Sequence, residues 1–284
     1  MLVFFRNKSH IIFALLFLVS IIHFFVKLTP ESPKISNKSE LFNQSLLNFN
    51  SIDKVICYSD SIYQINSPPI FDTLAYTQIV SDFIKNRFYH GLSNYSFSDN
   101  WIAYLSGKII WSHFSAIVDP DDILKHPEGL CSQQNIIFSE VLRKKGITSR
   151  PVGLGPKEGP GHFLTEVHYN SAWHIYDVDL EPNWEITQFK HPSIEYLVQN
   201  KDILYKIYGN KISKKHLDLI IKTVNFGKPN IYPAKNMALF HQITLALTYI
   251  LPLFFLMMFI RSMIKLKKSK NKINLLHKQK EVID

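Results

Sequence analysis

Residues 129–154 read GLCSQQNIIFSEVLRKKGITSRPVGL, a cysteine followed by a helical pattern and then by a strand pattern. Between residues 132 and 145 the apolar side chains fall on one helical face, and Gly146 supplies a stop. This pattern predicts one helix with Cys131 at its beginning. The next residues, ITSRPVGL at 147–154, have the composition of a strand.

The rest of the central region predicts further strands and helices around this stretch. A loop rich in glycine and proline, GLGPKEGPG at 153–161, leads to the strand patterns HFLTEVHY at 162–169 and WHIYDVD at 173–179, with Asn170-Ser171 as the hairpin turn. Helical patterns occupy residues 70–88, 99–114, 193–209 and 214–224. This order predicts an α+β domain in which the helix that begins at Cys131 packs on a small antiparallel sheet.

Charge is concentrated at the two ends of the chain, whose formal net charge is +9 over 284 residues. Residues 1–30 hold three basic side chains and no acid, and residues 261–284 hold eight basic side chains and two acids. The stretch between them is balanced, with 21 basic and 21 acidic residues. Since this central region has no basic field of its own, we exclude nucleic acid as a partner.

Two apolar stretches predict transmembrane helices. Residues 11–28 read IIFALLFLVSIIHFFVKL, and residues 237–260 read MALFHQITLALTYILPLFFLMMFI, each near the length that crosses a bilayer. No small-x-small cleavage site follows the first stretch, which favours an uncleaved anchor. Basic residues lie before the first span and after the second, so we expect both termini in the cytoplasm and the central domain outside it.

These features divide the chain into six segments. We expect a cytoplasmic N-terminus at 1–10, a transmembrane helix at 11–28, a spacer at 29–69, the α+β domain at 70–232, a second transmembrane helix at 237–260 and a basic cytoplasmic tail at 261–284. The bilayer is therefore an expected partner.

Cys131, His162 and Asp177 are the candidate catalytic residues. A cysteine nucleophile works as its thiolate, which a helix N-terminus and a neighbouring imidazole both stabilise. The imidazole needs a carboxylate that holds it in one tautomer, and the two strands of a hairpin can supply both groups as neighbours. Gly129 would let a substrate approach the backbone closely.

The motifs around these residues resemble those of the transglutaminase-like superfamily. GLC followed by a helix that ends LRKKGITSRPVGL is similar to the family pattern G-x-C, helix, Leu-Arg-x-x-Gly-Ile-x-x-Arg-x-Val. HFLTEV is similar to the family's His-x-x-x-Glu-Val strand, and WHIYDVD to its Trp-x-x-x-Asp strand, in the same Cys, His, Asp order. The resemblance covers about residues 119–182. Phe163 and Leu164 depart from the family, which usually has Ala-Trp after the histidine.

The resemblance implies a papain-like arrangement with defined roles. Cys131 would be the nucleophile, His162 the general base and acid, and Asp177 the group that orients the imidazole, while Trp173 would be structural. The implied chemistry is acyl transfer at an amide or ester, ending in hydrolysis or cross-linking. No cofactor and no metal are implied.

Several alternatives stay open at this stage. A disulfide between Cys57 and Cys131 would consume the nucleophile. Asp179, Glu166 and Glu181 are alternative orienting carboxylates, and Asp179 shares strand parity with Asp177. His162, His168 and His174 are six residues apart along strands, about 20 Å, which is too far for one shared ion.

The expected function is that of a membrane-anchored thiol amidase or peptidase, or of a cross-linking enzyme, acting on a protein or peptide-containing envelope or secreted substrate. A catalytically silent domain of the same fold, serving as a scaffold in a membrane assembly, is the main alternative. A third alternative, an arylamine-acetyltransferase-like enzyme, would need coenzyme A from the cytosol. The outward orientation of the domain counts against it.

Overall fold

The computed structural model describes residues 9–26, 42–65, 70–156, 161–187, 190–209 and 211–281, with side chains as far as residue 271. The chain divides into two compact units. The sheet unit comprises Ser32–Ser93 and Ala116–Ala238, and the apolar unit comprises Met1–Glu31, Asn94–Ser115 and Leu239–Asp284.

The described strands all lie in the sheet unit, and helices occur in both units. The α-helices are α1 Ser9–Ile21, α2 Ile52–Ile65, α3 Thr73–Arg87, α4 Trp101–Ile109, α5 Pro120–Ile123, α6 Cys131–Lys144, α7 Ile194–Gln199, α8 Lys201–Tyr208, α9 Lys214–Ile220 and α10 Lys235–Glu281. The strands are β1 Tyr89–His90, β2 Glu128–Gly129, β3 Ser149–Leu154, β4 His162–Tyr169, β5 Ala172–Tyr176 and β6 Val224–Phe226. The content is mixed α+β, as the sequence predicts.

A four-stranded antiparallel sheet in the order β5-β4-β3-β6 is the centre of the sheet unit. The hairpin between β4 and β5 turns at Asn170 and Ser171, whose φ angles are 49° and 60°. Two consecutive residues with positive φ make the tight turn that matches the twist of paired strands. The predicted turn is therefore confirmed, and it sets the register Thr165 opposite Tyr176.

Both faces of this sheet are covered by helices. Helix α6 packs against β3 and β4, and the Phe138 ring lies 5.6 Å from that of Tyr176. The core on the other side joins strand residues to helices α7–α9; its buried members include Val152, Leu154, Leu164, Ile175, Leu197, Leu204, Ile207, Leu217 and Ile220. Burial on both faces explains why the apolar residues of β3 and β4 do not simply alternate with polar ones.

Within the stretch expected to be a spacer, residues 52–65 form helix α2. The backbone N–H of Ile52 donates to Asp121 Oδ1 at 2.7 Å, and Val55 is fully buried. Helix α2 packs against α3 and α6. Its apolar side chains were too sparse to indicate a helix by themselves; Ile52, Val55 and Tyr63 are buried, whereas Ile65 is exposed. Residues 29–41 and 66–69 of the expected spacer lie outside the described residues.

Two predicted helices are shorter than expected. The helix predicted at 193–209 is divided at Asn200, which has φ −115° and ψ 65° and separates α7 from α8. The helix predicted at 214–224 ends at Ile220, and Val224–Phe226 instead pairs with β3. The open edge of β3 offers backbone hydrogen bonds that a further helical turn would forgo.

In the apolar unit, polar side chains join α4 to α10. Asn100 caps α4 by accepting from the backbone N–H of Ala103, and its amide donates to Thr244 Oγ1 at 2.9 Å. Nε2 of His241 lies 2.9 Å from the carbonyl oxygen of Phe114. These bonds fix the segment 94–115 along the first turns of α10.

One helix in the described part of the chain is long and apolar enough to cross a membrane. It is α10, whose apolar window lies within Lys235–Asn271 and has a mean hydropathy of 2.3, judged by length and composition alone. The apolar helix at Ser9–Phe24 is shorter than a span requires. The structure therefore supports one span near the C-terminus and gives no support to the expected pair.

Candidate active site

Cys131 is the first residue of α6, and Leu130 alone separates it from β2. The side chain of Gln133 fixes this helix start, because its Oε1 accepts the backbone N–H of Leu130 at 3.2 Å and that of Ser93 at 3.0 Å. A glutamine at the third helical residue that bonds back to the capping residue is half of a capping box. The sulfur is therefore held where a helix leaves backbone N–H groups without helical partners.

His162 begins β4 and is 6% exposed, and Asp177 follows β5 and is 2% exposed. His162 Nε2 lies 2.7 Å from Asp177 Oδ2. Since Nε2 is engaged by the carboxylate, Nδ1 is the ring nitrogen that remains for another partner. The structure thus places the predicted histidine and its predicted orienting carboxylate in direct contact.

Asp177 is fixed by three further contacts besides its location between β5 and the next turn. Its Oδ2 also accepts the hydroxyl of Tyr208 at 2.7 Å, and its Oδ1 accepts the backbone N–H of Leu180 at 3.1 Å. The backbone carbonyl of Asp177 accepts from Glu181 at 2.9 Å. A buried carboxylate with this many donors is stabilised in its ionised form.

The two buried partners shift each other's protonation. Burial alone would raise the pKa of Asp177, but the neighbouring His162 and the hydrogen bonds from His162, Tyr208 and Leu180 outweigh it and lower that pKa. Burial opposes the charged form of His162 as well, yet Asp177 and the contact with Cys131 hold the pKa of His162 well above its usual value. The geometry therefore favours an imidazolium–carboxylate pair.

The thiol, the imidazole and a second carboxylate form one cluster. The sulfur of Cys131, a ring nitrogen of His162 and a carboxylate oxygen of Asp179 all lie within 4.8 Å of one another. This Cys-His-Asp cluster is compatible with the triad of papain-like thiol enzymes.

Both cysteines are free thiols, with Cys57 exposed and Cys131 partly exposed, so the disulfide alternative is wrong.

Asp179 is held separately from the His162–Asp177 pair. His90 Nδ1 lies 2.9 Å from Asp179 Oδ1, and Gln134 Nε2 donates to the same oxygen at 2.8 Å. The side chain of Asp179 is 3% exposed. Sequence parity placed Asp177 and Asp179 on one face and could not separate their contacts; the structure gives each carboxylate its own donors.

The other candidate carboxylates and histidines have structural partners elsewhere. Glu166 pairs with Arg150 at 2.7 Å, and Glu181 pairs with Lys85. His168 packs edge-on against Trp173, and His174 contacts the carbonyl oxygen of His191. None of these four side chains belongs to the Cys131–His162 cluster.

Asn135 connects the helix of the nucleophile to the strand of the base. Its Nδ2 donates to the carbonyl oxygens of Cys131 and Phe163 at 2.7 and 2.9 Å, and its Oδ1 accepts the hydroxyl of Thr165 at 2.9 Å. A side-chain amide that uses both ends across two elements restricts their relative movement. Asn135 therefore restrains the backbone of α6 at Cys131 against that of β4 beside His162, while the two side chains stay free to rotate.

Gly129 is closely packed between Phe88 and Gln134. A Cβ atom at this residue would lie 3.2 Å from both the Phe88 ring and Gln134 Cγ, and the residue is buried between them. The side chain of Gln134 donates to the carbonyl oxygen of Gly129 at 2.8 Å. A larger residue would displace Gln134 and, through it, Asp179.

Sequence reasoning missed Tyr208, His90 and Gln134. Tyr208 lies 31 residues beyond Asp177 on α8 and reaches it only through the folding of α8 over the sheet. His90 and Asp179 are separated by 89 residues. Of the three, only Gln134 gave a local signal. It lies three residues after Cys131, and this spacing places both side chains on the same face of the helix.

A cavity of about 690 Å³ is lined by residues other than those of the Cys131–His162 cluster. It is lined by Lys85, Glu181, Trp184, His191 and Lys211 among others, and neither Cys131 nor His162 lines it. Since reacting groups must reach the substrate, the site is assigned by the thiol–imidazole geometry and not by this cavity.

Comparison with protein-family models, with curated proteins and with solved structures finds no significant match to this chain.

Proposed function

We propose that this chain is a membrane-anchored, transglutaminase-like thiol enzyme that transfers or hydrolyses an acyl group. The observation that carries the proposal is the 2.7 Å contact between His162 and Asp177, beside a thiol at the start of a helix. These are the parts that an activated cysteine nucleophile requires: an imidazole within reach and a carboxylate behind it.

The reaction would follow from the protons that these groups can exchange. The Cys131 sulfur attacks the substrate carbonyl carbon while its proton resides on His162, and an oxyanion forms on the carbonyl oxygen. Collapse of this intermediate breaks the carbon–nitrogen bond as His162 gives its proton to the leaving amine. A thioester remains on Cys131.

The second half returns the enzyme to its starting state. Water or an amine attacks the thioester carbon and loses a proton to His162, and the carbon–sulfur bond then breaks. Asp177 stays ionised throughout and stabilises the imidazolium, as the donors from Tyr208 and Leu180 favour. Water gives hydrolysis, and a lysine amine gives a cross-link.

The proposed substrate is a protein or a peptide-containing molecule outside the cytoplasm. Helix α10 supports membrane attachment at the C-terminal end of the chain. The finer topology, with two spans and both termini in the cytoplasm, is part of the proposal and rests on the distribution of basic residues at the chain ends. It would place the sheet unit outside.

Alkylation of the full chain in detergent tests the thiol chemistry directly. In a Cys57→Ser background, we expect Cys131 to react with iodoacetamide faster than an exposed thiol does at neutral pH. His162→Ala should slow that reaction by about 10²-fold or more, because the imidazole that takes up the thiol proton is gone. The matched control is Cys131→Ser with Cys57 intact, which reports the rate of the exposed thiol.

An activated ester supplies the acyl-transfer readout. With p-nitrophenyl acetate we expect a burst of nitrophenol equal to the amount of enzyme, and none from Cys131→Ser. If Cys131 and Cys57 react at equal rates and no burst appears, the enzyme proposal fails. The silent scaffold would then be the better description of the domain.

A further inference from the structure

Three side chains around the nucleophile have the composition of a metal site. Cys131 contributes a sulfur from the start of α6, His162 a ring nitrogen from the start of β4, and Asp179 an oxygen from the turn after β5. The ligand atoms lie within 4.8 Å of one another. We propose that these three residues bind a thiophilic divalent cation of the zinc class, which blocks the thiol reversibly.

The separations fit a small tetrahedral ion. Even if all three separations were at the 4.8 Å limit, the centre of the triangle would be about 2.8 Å from each ligand atom, whereas zinc binds nitrogen and oxygen at about 2.0–2.2 Å and sulfur at about 2.3 Å. The ligands therefore need to approach by less than about 1 Å, which side-chain rotation supplies. Three protein ligands leave the fourth tetrahedral place to water.

The surroundings of two ligands are those that metal sites use. Zinc-binding histidines commonly donate their second ring N–H to a carboxylate, which fixes the tautomer. His162 Nε2 has this contact with Asp177, so Nδ1 is left for the ion. Asp179 Oδ1 is in turn oriented by His90 and Gln134, as ligating carboxylates usually are.

The donor set selects the class of cation. One sulfur, one nitrogen and one oxygen suit zinc, cadmium or cobalt(II), while magnesium and calcium prefer oxygen ligands alone. A thiolate and the Asp179 carboxylate together carry two negative charges and balance a divalent ion. In the resting pair the thiol proton resides on Nδ1 of His162, and binding of the ion to both the sulfur and Nδ1 displaces that proton to solvent; no electron is transferred.

The inhibitory consequence rests on the proposed function, whereas the binding itself does not. A sulfur that shares its lone pair with zinc is a weaker nucleophile than the free thiolate, so it attacks a carbonyl and an alkylating agent more slowly. The site would therefore keep the thiol protected from oxidation and inactive wherever zinc is available, and removal of the ion would release it. This ligand set differs from His162, His168 and His174, whose spacing along strands is too long for one shared ion.

Titration of the full chain in detergent, after treatment with EDTA, tests the site. In a Cys57→Ser background, we expect cobalt(II) to give a sulfur-to-cobalt charge-transfer band, and zinc to displace cobalt at one equivalent. We expect zinc to slow the alkylation of Cys131 at least about tenfold, and magnesium and calcium at equal concentration to leave it unchanged.

Substitutions locate the ligands. Asp179→Asn should weaken zinc binding by about tenfold or more, and Cys131→Ser should abolish the charge-transfer band. The matched control is Asp218→Asn, which changes a carboxylate on α9 and should leave zinc affinity unchanged. Circular dichroism checks that each variant is folded. The cobalt spectrum is measured with all three ligand residues intact, so it does not depend on the folding of a ligand variant.

The outcomes separate the two proposals. Equal zinc affinity in the Asp179→Asn variant, or the absence of a cobalt–sulfur band, would overturn the metal site while leaving the ester burst as the measure of enzyme activity. Zinc binding at Cys131 in a chain that shows no burst after EDTA has removed the ion would support the metal site and overturn the enzyme.

Discussion

At the scale of single residues, Tyr208 and His162 share one oxygen of Asp177. Oδ2 lies 2.7 Å from both the Tyr208 hydroxyl and His162 Nε2, while Oδ1 takes the N–H of Leu180. Burial and the adjacent Asp177 raise the pKa of Tyr208 well above its usual value, so the phenol stays a donor. The imidazole is consequently oriented by a carboxylate that cannot itself rotate.

This arrangement predicts unequal effects for the two partners of His162. We expect Asp177→Ala to slow alkylation of Cys131 by about 10²-fold or more, because the imidazole loses both its orientation and the charge that stabilises its protonated form. Tyr208→Phe removes one hydrogen bond and should slow the reaction by less than about tenfold. Equal rates in both variants would contradict the role assigned to Asp177.

His191 predicts a dependence of stability on pH that is independent of the thiol. Burial lowers the pKa of His191 from 6.5 to about 4; the carbonyl of Ile175 opposes this change, and His174 and Lys190 add to it. The unfolded chain therefore binds more protons than the folded one between these two values, so the free energy of unfolding falls as pH drops from 6.5 towards 4.

We expect this loss to reach about 3 kcal/mol, since each pKa unit corresponds to about 1.4 kcal/mol. His191→Gln keeps an amide donor for the Ile175 carbonyl but cannot titrate, so its unfolding free energy should fall less over the same range. Denaturant unfolding at a series of pH values measures both slopes. Parallel slopes would show that His191 does not titrate as its burial indicates.

At the scale of elements, an ion pair joins the strands of the sheet to helix α7. Arg150 on β3 pairs with Glu166 on β4 at 2.7 Å, and the other oxygen of Glu166 accepts the backbone N–H of Ile194 at 2.8 Å. The guanidinium lies 4.3 Å from the Trp173 ring and 4.2 Å from that of Phe226. These contacts give Arg150 and Glu166 structural roles, and the stacking of the guanidinium gives Trp173 one as well.

Replacing one partner of this buried ion pair should lower the free energy of unfolding more than replacing one partner of an exposed pair. Glu166 is fully buried, so Glu166→Gln leaves the Arg150 charge without its partner, and we expect a loss of about 3–5 kcal/mol in unfolding free energy. Arg143 and Glu140 form a pair of the same types at 2.6 Å with Arg143 exposed. Its Glu140→Gln variant should lose no more than about 1 kcal/mol, and thermal unfolding compares the two.

At the scale of the whole molecule, the proposed topology predicts which thiols are accessible from outside the cell. Cys57 is exposed on the sheet unit, and Ser269 is exposed on the basic end of α10. With Cys131→Ala in the background, an impermeant maleimide should label Cys57 in intact cells. In a Cys57→Ser, Cys131→Ala chain, Ser269→Cys should be labelled only after permeabilisation.

If the chain has a single span at α10, labelling near the N-terminus differs from that expected for two spans. A cysteine at Ser9 that reacts in intact cells would show that residues 9–24 do not cross the bilayer with their basic flank inside. Labelling of Cys57 and of Ser269→Cys on the same side would contradict the outward orientation of the sheet unit.

Much of the local structure was predictable, because it depends on short-range patterns. The helix that begins at Cys131 and the turn at Asn170-Ser171 follow from apolar spacing and turn chemistry, and both are present. Helix α2, the break at Asn200 and strand β6 were not predicted. Helix α2 packs against α3 and α6, and β6 pairs with the edge of β3, and local patterns do not specify these contacts.

The sequence by itself determined the residue types that can carry the chemistry and the elements on which they lie, since periodicity and capping act within a few residues. Only the tertiary structure decided which carboxylate meets His162. Asp177 and Asp179 have the same strand parity, and the choice between them follows from donors supplied by Tyr208, His90 and Gln134. Long-range packing brings these donors together, because a buried carboxylate is stable only where such partners converge.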